Sequence, residues 1–156
     1  MKELKTKINI FDLPISKTGS EAVCVTTNGN IKKNGLAVMG RGIALEANKR
    51  FNLASKLAKY LNLYGNRLFD MGIYQNQISY FHIITFPTKY NWTENSNLEL
   101  IEKSCQQLVE LCNKRNISIC YLTPVGCANG HLAYQTQVKP ILEKYLDDRF
   151  IIVFRN

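Results

Sequence analysis

Three stretches of this sequence hold residue types able to cradle an anion or attack an electrophilic carbon. In the first, Val25-Thr26-Thr27-Asn28-Gly29 leads from an apolar run into polar residues and glycine, and Met39-Gly40-Arg41-Gly42-Ile43-Ala44 follows ten residues later and opens a helical pattern. Glycines let a backbone approach a ligand closely, and the free N–H groups and dipole of a helix start favour phosphate oxygens. Gly40-Arg41-Gly42 on its own reads as a tight turn before a helix, because neither a Walker A motif nor a complete G-x-G-x-x-G is present. The third stretch, Val125-Gly126-Cys127-Ala128-Asn129-Gly130-His131, alters that reading. Two glycine loops at neighbouring strand ends can clasp a diphosphate from opposite sides.

Between them, Phe86-Pro87-Thr88-Lys89-Tyr90-Asn91-Trp92 places an amine among aromatic residues directly after a strand pattern. A lysine beside an anomeric carbon attacks it once deprotonated, and desolvation moves its pKa in the required direction. A solvated or phosphate-pairing lysine is the plainer alternative. Asn28 is placed to hydrogen-bond ribose hydroxyls through both halves of its amide, or simply to form an Asn-Gly turn. Cys127 with His131 makes a poor nucleophile and base pair, since no third group orients it. His82, inside an apolar strand pattern, is expected to be a satisfied core residue.

Of 156 residues, 46% are apolar, and 20 Lys and Arg against 12 Asp and Glu leave a formal charge of +8. The length suits one domain over residues 1–156. The charge suits a polyanionic or phosphorylated ligand and equally a solvated basic surface. No apolar run is long enough for a signal peptide or a membrane span, so a cytoplasmic protein without a membrane partner is expected. Five cysteines without a C-x-x-C pair fit reduced thiols, and with two histidines no metal site is expected.

The elements that must position these residues follow from hydrophobic period. Strands are predicted at Lys7 to Phe11, Ala22 to Thr27, Arg67 to Ile73, Ile78 to Thr85, Ile117 to Thr123 and Arg149 to Phe154. Their nearly continuous apolar runs suit a sheet covered on both faces. One long helix is predicted from Gly42 to Leu61, a second after a capping box at Ser96-x-x-Glu99, and a third from Gln137 to Leu146 with Pro140 in its first turn. The order β-β-α-β-β-α-β-α-β predicts a three-layer α/β/α sandwich around a mixed, largely parallel sheet. If its strands run parallel, the three loops gather at the sheet's carboxyl edge.

Taken together, these residues resemble the macro domains, which bind ADP-ribose and in some members cleave its glycosidic bond. The resemblance runs through Ile10-Phe11-Asp12-Leu13, Thr26 to Gly29, Val38 to Ala44, Phe86-Pro87-Thr88-Lys89-x-x-Trp92, Gly126 to Gly130 and Leu146 to Phe150. It points to the branch that includes antitoxins of DNA ADP-ribosylating toxins and related phage proteins. The resemblance implies that Asp12 accepts from the adenine amino group and that Asn28 contacts the distal ribose. It also implies that Thr27, Gly40, Arg41, Gly42 and Ile43, with Gly126, Cys127, Ala128, Asn129 and Gly130, hold the diphosphate and that ribose. Lys89 would be the catalytic lysine, assisted by Asn28, with water resolving a sugar held on it.

Three positions depart from relatives of this branch. Ala128 and His131 stand where glycines are usual, and Tyr134 where Trp is usual. Gly130 occupies the place of an aspartate that some relatives use to resolve the lysyl adduct.

The implied function is hydrolysis of an ADP-ribosyl linkage, foremost on a nucleobase in DNA, with a protein linkage less favoured. Its alternatives are a non-catalytic module for ADP-ribose or an NAD metabolite, and a general nucleic-acid binder using Trp92, Tyr90 and Tyr134 for stacking. No cofactor is expected, ADP-ribose being ligand or product. Single-stranded DNA and a cognate ADP-ribosyltransferase toxin are the implied partners.

Overall fold

The run Ala22-Val23-Cys24-Val25 lies in the middle of the sheet, and its alternate side chains serve two different cores. The computed structural model describes residues 1–156. In chain order the elements are β1 (Lys2–Thr6), β2 (Glu21–Thr27), α1 (Gly42–Phe51), α2 (Ala54–Tyr64), β3 (Phe69–Gln75), β4 (Tyr80–Pro87), α3 (Leu98–Arg115), β5 (Ile119–Leu122), α4 (Lys139–Tyr145) and β6 (Phe150–Arg155). The strands form one sheet in the order β1-β6-β5-β2-β4-β3, all parallel except β3, which pairs antiparallel with β4 at one edge.

Because strand side chains alternate between faces, Val23 and Val25 join Leu57, Met71 and Ile83 beneath α1 and α2. Ala22 and Cys24 instead join Ile84, Ile101, Leu108 and Phe150 beneath α3 and α4. This is the predicted α/β/α sandwich. No helix is long and apolar enough to cross a membrane.

The boundaries differ from expectation in five places, most with a local cause. Residues 7–11 form no strand, because Ile10 and Phe11 are consecutive and both buried, a pattern a strand cannot give one face. They turn instead into a single 3₁₀ turn, Ile10–Asp12, closed by Asn9 Oδ1 accepting from Phe11 N at 2.9 Å. The first strand is β1, a largely exposed edge strand whose only pairing is with β6.

The predicted long helix is broken at Asn52, which adopts left-handed φ 56°. Asn48 Oδ1 accepts from both Leu53 N and Ala54 N at 2.9 Å, satisfying the start of α2 just past the end of α1. At α3 the cap is Asn97, whose side chain accepts from Leu100 N at 3.0 Å, and not Ser96. The β3–β4 connection is also displaced. Asn76 Oδ1 takes the N–H groups of Ile78 and Ser79, so Ile78 belongs to the turn. The last helix begins as a π turn, Tyr134–Val138, and continues as α4 with Pro140 in its first turn.

All five cysteines are unbonded, four of them buried as small hydrophobes. His82 is a satisfied residue, as expected, its Nδ1 3.1 Å from Asp70 Oδ2, which Arg115 Nε also reaches at 3.1 Å.

Asn48→Ala should remove both bonds at the helix break and destabilise the fold by about 1–2 kcal/mol, the usual cost of losing such a cap. Chemical denaturation would check this, with a shift in midpoint at unchanged slope as the expected outcome.

Candidate functional site

β5, β2 and β4 lie side by side and parallel, so the chain leaves all three at the same edge. β5 stops early, with Tyr121 opposite Val23, whereas β2 continues to Thr27 opposite Pro87. The chain after β5 therefore diverges beside the end of β2, and such divergence opens a crevice in α/β sheets. A cavity of about 650 Å³ occupies this edge, lined by residues of all three loops. That volume lies within the ordinary range for small-ligand sites.

The first loop begins at Asn28. Its Oδ1 accepts from Asn30 N at 2.9 Å and its Nδ2 donates to the Val38 carbonyl at 3.3 Å. One acceptor site and one donor of this amide are thus spent on shaping the loop, leaving one of each for a ligand. A bridge between Ile31 and Ala37 makes the loop a short finger bearing Lys32. Gly42 then opens α1 with φ 56°, a left-handed conformation that disfavours any side chain. The N–H groups of Gly42, Ile43 and Ala44 have no partner within the helix and stand at its positive end.

The third loop faces them. Gly126 has φ 76°, and a Cβ there would lie 3.0 Å from Ile101 Cδ1. At Gly130 a Cβ would collide with Ser96 Oγ and with the Gly126 carbonyl oxygen. Ser96, displaced from its expected capping role, fills the space beneath this loop, and its N–H donates to the Gly130 carbonyl at 3.0 Å. The N–H groups of Ala128, Asn129 and Gly130 make no hydrogen bond within the protein. A Cβ on Gly42 would come within 3.2 Å of Asn129 Nδ2, so the two glycine loops nearly touch.

The middle loop supplies Lys89. Its Nζ donates to the Asn129 carbonyl at 2.9 Å, which reaches across to the third loop. Its backbone carbonyl accepts from Asn66 Nδ2 at 3.0 Å. Desolvation, reinforced by the nearby Arg41 guanidinium, holds the Lys89 pKa below the ordinary lysine value. Lys32, Arg41 and Lys89 all line the cavity, no Asp or Glu does, and none of the three forms an ion pair. The formally charged side chains lining the cavity are therefore all positive.

Of the residues singled out in the sequence, Thr27, Asn28, Gly40, Arg41, Gly42, Ile43, Lys89 and the segment from Gly126 to Gly130 line this cavity. Asp12 does not. Its carboxylate is held outside by Arg50, whose two terminal nitrogens reach it at 3.0 and 3.3 Å. Burial pushes the Cys127 thiol up to about 11, which disfavours a thiolate nucleophile, and the exposed His131 is not among the lining residues. Tyr134 is also elsewhere, donating to Glu3 and packed edge-on against Phe154. Lys32 and Ser96 line the cavity without having been foreseen there. A lysine in a polar loop has no periodic signal, and the Ser96 pattern fitted a capping box equally well.

No protein-family model matches the chain. Its fold is similar to the macrodomain of Thermus aquaticus DarG, with a TM-score of 0.70 at 24% identity over 99% of this chain and 98% of that one. The macrodomain of Mycobacterium tuberculosis DarG gives 0.65 at 24% identity, over 96% of both chains. A structure described as Thermosipho africanus DarTG in complex with ADP-ribose gives 0.66 at 22% identity, over 86% of this chain and 38% of that one. The chain thus has the macrodomain fold. In sequence it is similar to the DNA ADP-ribosyl glycohydrolases of Mycobacterium tuberculosis and Mycobacterium bovis, 32% identical over 108 residues, or 65% of this chain. It spans 30% of the length of those relatives.

Gly130→Ala should disrupt the third loop, because the added Cβ meets both a side chain and fixed backbone, whereas Gly40→Ala meets nothing within 4 Å. Thermal melts should therefore show a lowered Tm for the first variant and an unchanged one for the second.

Proposed function

We propose that this cavity binds ADP-ribose across its two glycine loops and that Lys89 cleaves the bond joining the distal ribose to a nucleobase of DNA. The observation carrying this reading is the placement of one partly desolvated amine, tied to the Asn129 carbonyl, in a cavity that also holds two sets of unpaired backbone N–H groups. The N–H groups of Gly42 to Ala44 and of Ala128 to Gly130 would take the diphosphate oxygens, as helix starts and glycine loops do. Asn28 would use its remaining donor and acceptor on the ribose hydroxyls. The sequence similarity to DNA ADP-ribosyl glycohydrolases and the fold shared with an ADP-ribose complex support the choice of ligand and linkage.

In the reaction the neutral Lys89 amine attacks the anomeric carbon, and a carbon–nitrogen bond forms as the bond to the nucleobase breaks. The proton lost by the lysine nitrogen goes to the departing base. Water then displaces the lysine, releasing ADP-ribose and regenerating the amine. A cognate ADP-ribosyltransferase, whose product this site would reverse, is the partner the reading implies.

A second reading, a module that binds ADP-ribose without cleaving it, draws on Gly130. No side chain fits at the position where some relatives carry a resolving aspartate.

One measurement is common to these readings and a second separates them. Free ADP-ribose should raise Tm in both, since a ligand bound only to the native state stabilises it. Lys89→Ala should cut hydrolysis of ADP-ribosylated single-stranded DNA on the order of a hundredfold or more while changing ADP-ribose affinity far less. Lys89→Arg should fail to restore it, because a guanidinium stays protonated. Full activity in Lys89→Ala would overturn the mechanism, and no turnover by the wild type on DNA or protein linkages would favour the binding module.

The pH profile offers an independent check. Neutral lysine is the reactive form, so kcat should rise with pH through a pKa below that of an exposed lysine. Arg41→Gln removes the neighbouring positive charge, which raises that pKa and should move the rising limb to higher pH.

A further inference from the structure

We propose that Trp92 and Lys32 form a strand-holding rim at the cavity mouth, which seats a nucleotide adjoining the modified base of single-stranded DNA. The inference builds on the DNA-linked reading above. With Lys89 neutral in its reactive form, the cavity keeps two cations, Lys32 and Arg41, and no lining carboxylate offsets either. Lys32 stands on the finger of the first loop, lines the cavity and is exposed. Trp92 belongs to the middle loop, three residues after Lys89, lines the cavity and is nevertheless 49% exposed.

The two sides of this rim are fastened together. Asn30 Oδ1, on the loop carrying Lys32, accepts from the Trp92 backbone N–H at 2.7 Å. The backbone that carries the indole is therefore held in position before any ligand arrives. A half-exposed aromatic face beside uncompensated cations is the combination that binds single strands, the ring stacking on an unpaired base and the cations tracking the phosphates. A duplex buries its base faces, and a protein-linked substrate offers no base next to the modification. Tyr90, 52% exposed in the same loop, is not part of the cavity lining. Tyr134, the remaining stacking candidate from the sequence, is excluded by its bond to Glu3.

Trp92 is the chain's only tryptophan, so its fluorescence reports stacking directly. The protein saturated with ADP-ribose is titrated with an unmodified short oligothymidylate. Quenching is expected, with affinity falling steeply as salt rises and weakened on the order of tenfold in Lys32→Ala but not in Lys32→Arg. No quenching, equal quenching by a duplex of the same length, or indifference to Lys32→Ala would overturn the rim.

A kinetic arm separates this inference from the reading beneath it. The ratio of kcat/KM for an ADP-ribosylated oligonucleotide to that for the ADP-ribosylated nucleoside should be on the order of tenfold or more, and should collapse toward one in Trp92→Ala. A wild-type ratio of one with both substrates hydrolysed would overturn the rim and leave the hydrolase standing. Hydrolysis of neither would overturn the hydrolase, and the fluorescence titration would still decide the rim.

Discussion

Parallel pairing of β2 with β4 on one side and β5 on the other determines where each group of the cavity stands. Antiparallel neighbours would send successive loops to opposite edges, and Asn28, Lys89 and Asn129 would then lie a strand length apart. In the observed arrangement all three strands point the same way, and β5 ends short of β2. The apolar alternation that fills both cores is therefore also what gathers the polar loops. Packing and site are two results of the same register.

Above that edge, space is controlled by what is missing from the side chains. Gly126 and Gly130 fold over Ser96 so closely that neither accepts a Cβ without movement, and Gly42 approaches Asn129 from the other loop. The main chain itself thus forms the wall, presenting N–H groups instead of side chains. Lys89 interrupts this wall with a flexible charged group, and its bond to the Asn129 carbonyl limits the positions its amine can occupy. Crowding at the glycines and restraint at the lysine are complementary under the proposed mechanism, since a mobile nucleophile in a loose pocket would seldom meet its target.

The sandwich and the direction of the sheet were legible in the sequence because they rest on period, a local signal, and eleven of the twelve ligand-binding candidates, which rested on the family resemblance and on loop composition, line the cavity. Asp12 was the exception, since nothing local announces that Arg50, thirty-eight residues away, takes its carboxylate. The break between α1 and α2 was hidden for a similar reason. The apolar stripe continues across Asn52, and only the side chain of Asn48, satisfying two backbone donors, shows that the helix has ended. Edge strand β1 carries no alternating pattern because solvent covers most of it, so its partner β6 alone reveals it. Ser96 and Asn97 competed for one cap, and sequence could not rank two adjacent residues that both suit the role.

The absence of carboxylates from the cavity lining has a consequence for the conditions under which the site operates. Asp, Glu and His are the side chains that ordinarily change charge between about pH 3 and 7, and none of them lines the cavity. Mild acidification therefore leaves the lining's electrostatic character intact, and the amine of Lys89 is the group there whose pKa burial holds below the ordinary lysine value. Under the proposed mechanism, a site built this way would separate holding from cutting by proton concentration. Under that reading it would grip its anion across the acid range and gain reactivity as Lys89 loses its proton.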